Sequence, residues 1–275
     1  MIFVTDKGRM CNNILQYGQL YAWGREHGRK TMSMRFAYKY PYFNICHTPY
    51  HHVWNYVFAK YAARIGLIPT VGFHDYNEDT SRQERLMMEK RLILAEGWCV
   101  KWFDLFLKYK QEILQLFAFR DDIEQRVAQR LHKGLRLGVH IRRGDYATFQ
   151  GGRFYYTDEQ YLHLIQSFCK LHPDEETYVY ICGNDPDLNR DYFRQQLPQC
   201  HVVFPDGNPA EDLCLLSHCN YLIGATSTFT LVASMYHDVP LYWIGDANAP
   251  VEEHLFKSFD ELFPQLEYVF VYNNP

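Results

Sequence analysis

No uninterrupted apolar stretch in the 275 residues approaches the roughly 18 needed for a membrane-spanning helix, so no integral membrane segment is expected. The amino-terminal residues 1–6 lack a basic region, and their apolar run ends after three residues, which argues against an export leader. None of the eight cysteines forms a C-x-x-C pair. That disfavours a disulfide framework and points to reduced, mostly buried thiols in a cytoplasmic protein. The G-x-G-x-x-G dinucleotide fingerprint is missing, and there is neither an internal repeat nor a low-complexity segment. Charge of one sign is not in excess: 28 Lys and Arg against 32 Asp and Glu leave a net charge of -4. This excludes a wholesale nucleic-acid binder, and any anionic ligand must meet a local cluster of cations.

Apolar residues make up 47% of the chain, ordinary globular usage, and the length suits two halves of roughly 140 residues. From residue 135 onward short β-rich runs (135–141, 177–183, 201–204, 221–224, 241–244) alternate with helical patterns (161–169, 186–196, 211–218, 227–236). Such alternation predicts a mainly parallel, doubly wound sheet. The first half opens the same way, with a strand at 2–5, a helix from 12 to 27 and a strand at 31–34. An irregular aromatic stretch follows, then helical patterns at 82–94 and 100–119. A charged helix at 121–132 runs into the strand at 135, so the domain boundary is placed at 133/134.

Four segments carry chemistry. His140-Ile-Arg142-Arg143-Gly-Asp145-Tyr146 ends a parallel strand, where ligands of doubly wound sheets bind. Adjacent arginines there point in opposite directions, so one can reach a phosphate while the other pairs with a carboxylate. Gly224-Ala-Thr-Ser227-Thr228-Phe229 passes from strand to helix, and its hydroxyls either cap the helix or help seat an anion. Cys182-Gly-Asn-Asp185-Pro-Asp187 follows another strand, and Gly8-Arg-Met-Cys-Asn12-Asn13 joins the first strand to the first helix. Cys46, His47, His51 and His52 cluster without a known zinc spacing.

Together these segments resemble the α-1,2-fucosyltransferases, glycosyltransferase family 11. Residues 8–17 are similar to that family's G-R-x-G-N-Q-x-x-Q-Y, residues 140–146 match its H-x-R-R-G-D-Y, 179–187 resemble its S-D-D-P-E stretch, and 212–230 follow its D…L-S-x-C…S-S-F-S block. Cys11, Asn13, Gly183-Asn184 and Leu231-Val232 depart from the pattern, which marks a divergent, bacterial-type member. The resemblance implies an α/β, GT-B-like fold: two Rossmann-like doubly wound domains, 1–133 on the acceptor side and 134–275 on the donor side, facing across a cleft. It implies an inverting transfer of L-fucose from GDP-β-L-fucose to O2 of a terminal galactose, with no cofactor and no metal. Carried over by position, Arg142 contacts the β-phosphate, and His140 and Asp212 hold the guanosine end. Ser227, Thr228 and Phe229 line the diphosphate, with Asp185 beside it. Asn12 and Asp145 join Arg142 as catalytic candidates, and Asp145 is expected to pair with Arg143. The implied partners are the donor and a glycan acceptor, with peripheral association through a lipid-linked glycan compatible with the sequence. Two alternatives stand beside this reading. One is a metal-dependent transferase using Asp185-Pro-Asp187 as a D-x-D motif, a string that chance supplies at this aspartate content. The other is a nucleotide-binding module without turnover.

Overall fold

The apolar run Ile2–Val4 forms β1, fully buried as an inner parallel strand requires. It opens a unit that continues through α1 (Met10–Glu26), β2 (Thr31–Ser33), α2 (Phe36–Lys39), α3 (Val53–Arg64), β3 (Thr70–Phe73), α4 (Ser81–Glu89), β4 (Ile93–Gly97), α5 (Phe103–Lys108) and α6 (Lys110–Leu116). The four strands are all parallel, in the order β2-β1-β4-β3. The structure, a computed structural model, describes residues 1–271.

Two strands of this sheet differ from the sequence expectation. The 82–94 pattern is not one helix: α4 ends at Glu89, and Ile93 begins β4. A short buried strand is a continuous apolar run, which periodicity cannot tell from a helical segment. Gly97 ends β4 at φ +90, with the Phe73 carbonyl oxygen only 2.1 Å from where a Cβ would sit. β3 lies in the stretch that carries no clear pattern. The helical 100–119 region breaks at Tyr109 into α5 and α6.

The second unit holds α7 (Asp121–Ala128), β5 (Leu135–Ile141), α8 (Asp158–Leu171), β6 (Thr177–Gly183), α9 (Arg190–Gln196), β7 (His201–Val203), α10 (Pro209–Ser217), β8 (Tyr221–Gly224), α11 (Thr228–Tyr236), β9 (Leu241–Trp243) and α12 (Phe259–Leu262). Its five strands are parallel in the order β7-β6-β5-β8-β9. The chain steps outward from β5 to β7 and returns to β8, which makes the carboxyl ends of β5 and β8 the point where strand order reverses. Thr157 starts α8 with a reciprocal capping box to Gln160, and Asn208 caps α10 with Pro209 in the first turn. Pro186, by contrast, lies outside α9, whose cap is Asn189.

The two compact units divide at Arg120/Asp121, and the segment from Phe263, including α13 (Leu266–Val271), belongs with the first. Glu211 on α10 explains where the second unit begins: it accepts from Arg126 at 2.7 Å and Arg130 at 3.1 Å, holding α7 and the turn after it. Phe263 explains the returning segment, since it is fully buried with its ring 5.0 Å from Phe103 and 4.6 Å from Phe106.

Candidate active site

β5 delivers His140 and Arg142 to the strand-order reversal. His140 lies in register with Cys182 on β6 and Gly224 on β8. Its ring is buried and stacks on Phe229 at 4.6 Å and 24°. Burial, with the Arg142 charge adding to it, pushes the imidazole down to about 3, so the ring is neutral. Its Nδ1 has no hydrogen-bond partner. A buried polar atom left unpaired costs free energy that a bound ligand can recover.

The two arginines take different roles. Arg143 is held from both sides, by Asp158 and by Asp185 at 3.0 Å, and its backbone N–H donates to Asn184 at 2.8 Å. Arg142 Nη2 donates to both carboxylate oxygens of Asp145, at 2.6 and 2.8 Å. The expected Asp145–Arg143 pair is therefore corrected: the turn beginning at Gly144 (φ +68) brings Asp145 back onto Arg142. Arg142 also lies 5.0 Å over the Tyr146 ring, and the Tyr146 hydroxyl donates to the Thr226 carbonyl at 2.9 Å. That chain of contacts stitches the β5 loop to the start of α11.

Ser227 caps α11, its side chain accepting from the Thr230 N–H, and Thr228 and Phe229 follow, half-buried, in the first turn. The first-turn N–H groups and the helix dipole favour an anion beside Arg142. Asp212, in the first turn of α10, has a buried Oδ1 without a hydrogen-bond partner. Burial and the neighbouring Glu211 raise its carboxyl to about 7. His140, Arg142, Ser227, Thr228 and Phe229 thus come together at the β5/β8 end. Asp212 lies close to Cys182 at the end of β6, where its charge adds to burial in pushing that thiol up. Asp185 serves instead as an anchor: one oxygen holds Arg143 and the other accepts from the Asp187 N–H at 3.0 Å. A D-x-D cation would have to share both oxygens with these contacts.

Asn12 stands on the other unit, half-buried in the first turn of α1. Gly8, at φ +76, leaves room for it, because a Cβ there would lie 2.4 Å from the Asn12 amide nitrogen. Its neighbours Asn13 and Gln16, which the sequence offers only as motif positions, fix the surrounding backbone. Asn13 accepts from the Lys7 N–H at 2.7 Å and donates to the Arg9 carbonyl at 2.8 Å, which fixes the loop after β1. Gln16 donates to the Thr5 carbonyl at 3.1 Å and also to Gly97. Asp6, Asn13, Gln16 and Ser33 line a small cavity beside the carboxyl end of β1, and Asp6 Oδ1 is buried there without a partner. Polar residues crowded onto a mostly apolar helix were the available signal. The Cys46/His51 region is aromatic packing, with the Cys46 thiol turned to the Ala37 and Tyr40 carbonyls and His51 against Tyr38. Among the described residues, no helix is long and apolar enough to cross a membrane.

Two parallel-sheet α/β units, the second gathering polar residues at its strand-order reversal, define a GT-B-type fold. The chain belongs to glycosyl transferase family 11, which it matches over residues 74–238. It is 25% identical over 246 residues to the Gorilla gorilla gorilla protein named Galactoside alpha-(1,2)-fucosyltransferase 2, covering 82% of this chain but only 66% of that protein. Among solved structures it is similar to a mutant Arabidopsis thaliana FUT1 in complex with GDP, with a TM-score of 0.64 at 10% identity over 94% of this chain and 73% of that one. It is also similar to POFUT1 in complex with GDP-fucose, with a TM-score of 0.59 at 12% identity over 89% of this chain and 97% of that one.

Proposed function

We propose that the protein transfers L-fucose from GDP-β-L-fucose to O2 of a terminal galactose, in one inverting displacement that needs no metal. The observation that carries this reading is the pairing at the β5/β8 end: a neutral, buried His140 stacked on Phe229 beside a guanidinium fixed at the start of α11. The family membership and the GDP or GDP-fucose named for the structural neighbours support the same donor.

In this reading the donor diphosphate rests on the first turn of α11, and Arg142 meets the β-phosphate. As the bond from fucose to oxygen breaks, negative charge grows on that phosphate, and a guanidinium already in place stabilises it more than the ground state. Asp212 accepts from N1–H and N2–H of guanine, an arrangement that suits its unpaired oxygen. The acceptor hydroxyl attacks from the face opposite GDP, so a β-linked donor yields an α-linked product. Asn12 on the first unit orients a sugar but, as an amide, takes no proton. Asp145 acts by positioning Arg142.

The test is product analysis. Incubation with GDP-fucose and a panel of galactose-terminated oligosaccharides, in the presence of chelator, should give an α-1,2-fucosylated product by mass spectrometry and NMR. A β-linkage, a trapped fucosyl-enzyme or an absolute need for divalent ion would overturn it. GDP at about 100 times its Kd should also stabilise the fold by roughly 2.7 kcal/mol. GDP binding without turnover on any acceptor would favour the non-catalytic reading.

A further inference from the structure

Helix α3 is built the wrong way round for a helix that serves only the core. Toward the sheet it presents Ala59 and Ala62, which pack with Phe3, Met32, Met34, Ile68 and Leu94. Outward it presents Trp54, Phe58, Tyr61 and, at its C-cap, Ile65, with relative exposures of 71%, 51%, 56% and 70%. Their spacing of four, three and four residues places them on one helical stripe. Leu67, just beyond, is 73% exposed. Large apolar residues facing solvent in one contiguous stripe mark an interaction surface.

The charge around the stripe identifies what it meets. From His27 to His74 the chain has not one Asp or Glu, yet it holds Arg29, Lys30, Arg35, Lys39, Lys60 and Arg64. The protein as a whole is acidic, so cations are segregated onto this segment. Lys60 and Arg64 are exposed on α3 itself, and the Lys60 ammonium lies 5.9 Å from the rings of both Tyr56 and Tyr61. Aromatic residues interleaved with Lys and Arg on an exposed helical face are the composition of helices that lie in a bilayer interface. Self-association fits less well. A two-fold contact through this stripe would set Lys60 and Arg64 of one copy against the same cations of the other.

We infer that the α3 stripe docks on an anionic lipid surface, with Trp54, Phe58, Tyr61 and Ile65 entering the headgroup boundary and Lys60 and Arg64 pairing with lipid phosphates. Docking of this kind would hold the protein where lipid-carried glycans are presented. It stands on the first unit alone and does not depend on the donor chemistry proposed above.

The experiment is vesicle flotation of the full chain, with phosphatidylglycerol-containing and pure phosphatidylcholine vesicles and no nucleotide present. The protein should float with the anionic vesicles, with a blue shift of tryptophan fluorescence that W54F diminishes, and should stay behind with the neutral ones. K60E/R64E should lower partitioning on the order of tenfold or more, as should 0.5 M salt. W54S/F58S/I65S should abolish it while leaving circular dichroism and Tm near wild type, since these side chains are exposed. Three results would each overturn the inference: no flotation with anionic vesicles, equal flotation with neutral ones, or a dimer in light scattering that the triple variant dissociates.

Discussion

GDP affinity should weaken as pH falls through about 7, and Asp212 should be the cause. Its carboxyl is raised to about 7 by burial and by Glu211, so the unliganded protein carries a mixture of protonated and ionised Asp212 at neutral pH. Guanine offers two N–H donors on one edge, and only the ionised carboxylate accepts both. If GDP selects the ionised form, Kd rises as 1 + 10^(7 − pH). From pH 8 to pH 6 that is about tenfold, or about 1.4 kcal/mol. The terminal phosphate of GDP titrates near 6 as well, but ADP shares that ionisation. The ratio of GDP to ADP affinity, measured by calorimetry between pH 6 and 8, therefore isolates the protein group. His140 is silent in this window because its ring ionises only near 3. Asp212→Asn should flatten the ratio and erase most of the preference for guanine. Without nucleotide the sign reverses. A carboxyl raised above its unfolded value near 3.9 stabilises the fold most in acid, and that contribution is lost as pH rises toward 7. A GDP-to-ADP ratio that stays constant from pH 6 to 8, or changes equally in Asp212→Asn, would refute the reasoning.

Arg142→Ala should reduce turnover on the order of 10²–10³, by analogy with loss of a charge-stabilising donor, and Arg142→Lys should remain impaired because the planar fork is gone; steady-state kinetics decides both. Asp145→Asn should slow transfer while leaving GDP binding near normal, because the pair it loosens is with Arg142; a large loss of GDP affinity would point to a different role. His140, neutral when folded and ionising near 6.5 when unfolded, contributes stability that is complete above about 6.5 and lost as pH falls toward 3. The full loss should reach roughly 5 kcal/mol, about 3 kcal/mol of it between pH 7 and pH 4, and urea unfolding of His140→Gln at those two pH values should show most of that dependence removed. Ser227→Ala should cost about 1 kcal/mol through loss of the α11 cap, read as a lower urea midpoint.

Much of the second unit was legible because its signals are local. Three strands (135–141, 177–183 and 221–224) coincide with the runs read from sequence, and Ser227 falls at the cap where its residue type puts it. Both arginines of the Arg142-Arg143 pair meet carboxylates, Arg142 the nearby Asp145 and Arg143 the more distant Asp158 and Asp185. Which carboxylate serves which arginine was not legible, because Asp158 and Asp185 come from elements 15 and 42 residues away. In the first unit β3 and β4 are short strands whose patterns carry no period, so the sheet order was invisible. Asp6 escaped for a related reason, and the roles of the motif residues Asn13 and Gln16 stayed hidden with it: each is an ordinary polar residue until the sheet folds it against an unpaired backbone group or a cavity wall.

The burial of Phe263 between Phe103 and Phe106 has a consequence for how the chain comes into being. The first unit is discontinuous, and the ring that completes its aromatic core leaves the ribosome after every residue of the second. Emerging units generally fold amino-terminal first. Here residues 121–262 are all present while α5, already able to pack on α1 through Phe106 and Gly18, still lacks the ring that closes its outer face, so the later unit is the first able to finish. Until Phe263 arrives, the sides of Phe103 and Phe106 that it covers stay uncovered on a nascent polypeptide, a natural target for chaperones that bind exposed aromatic segments.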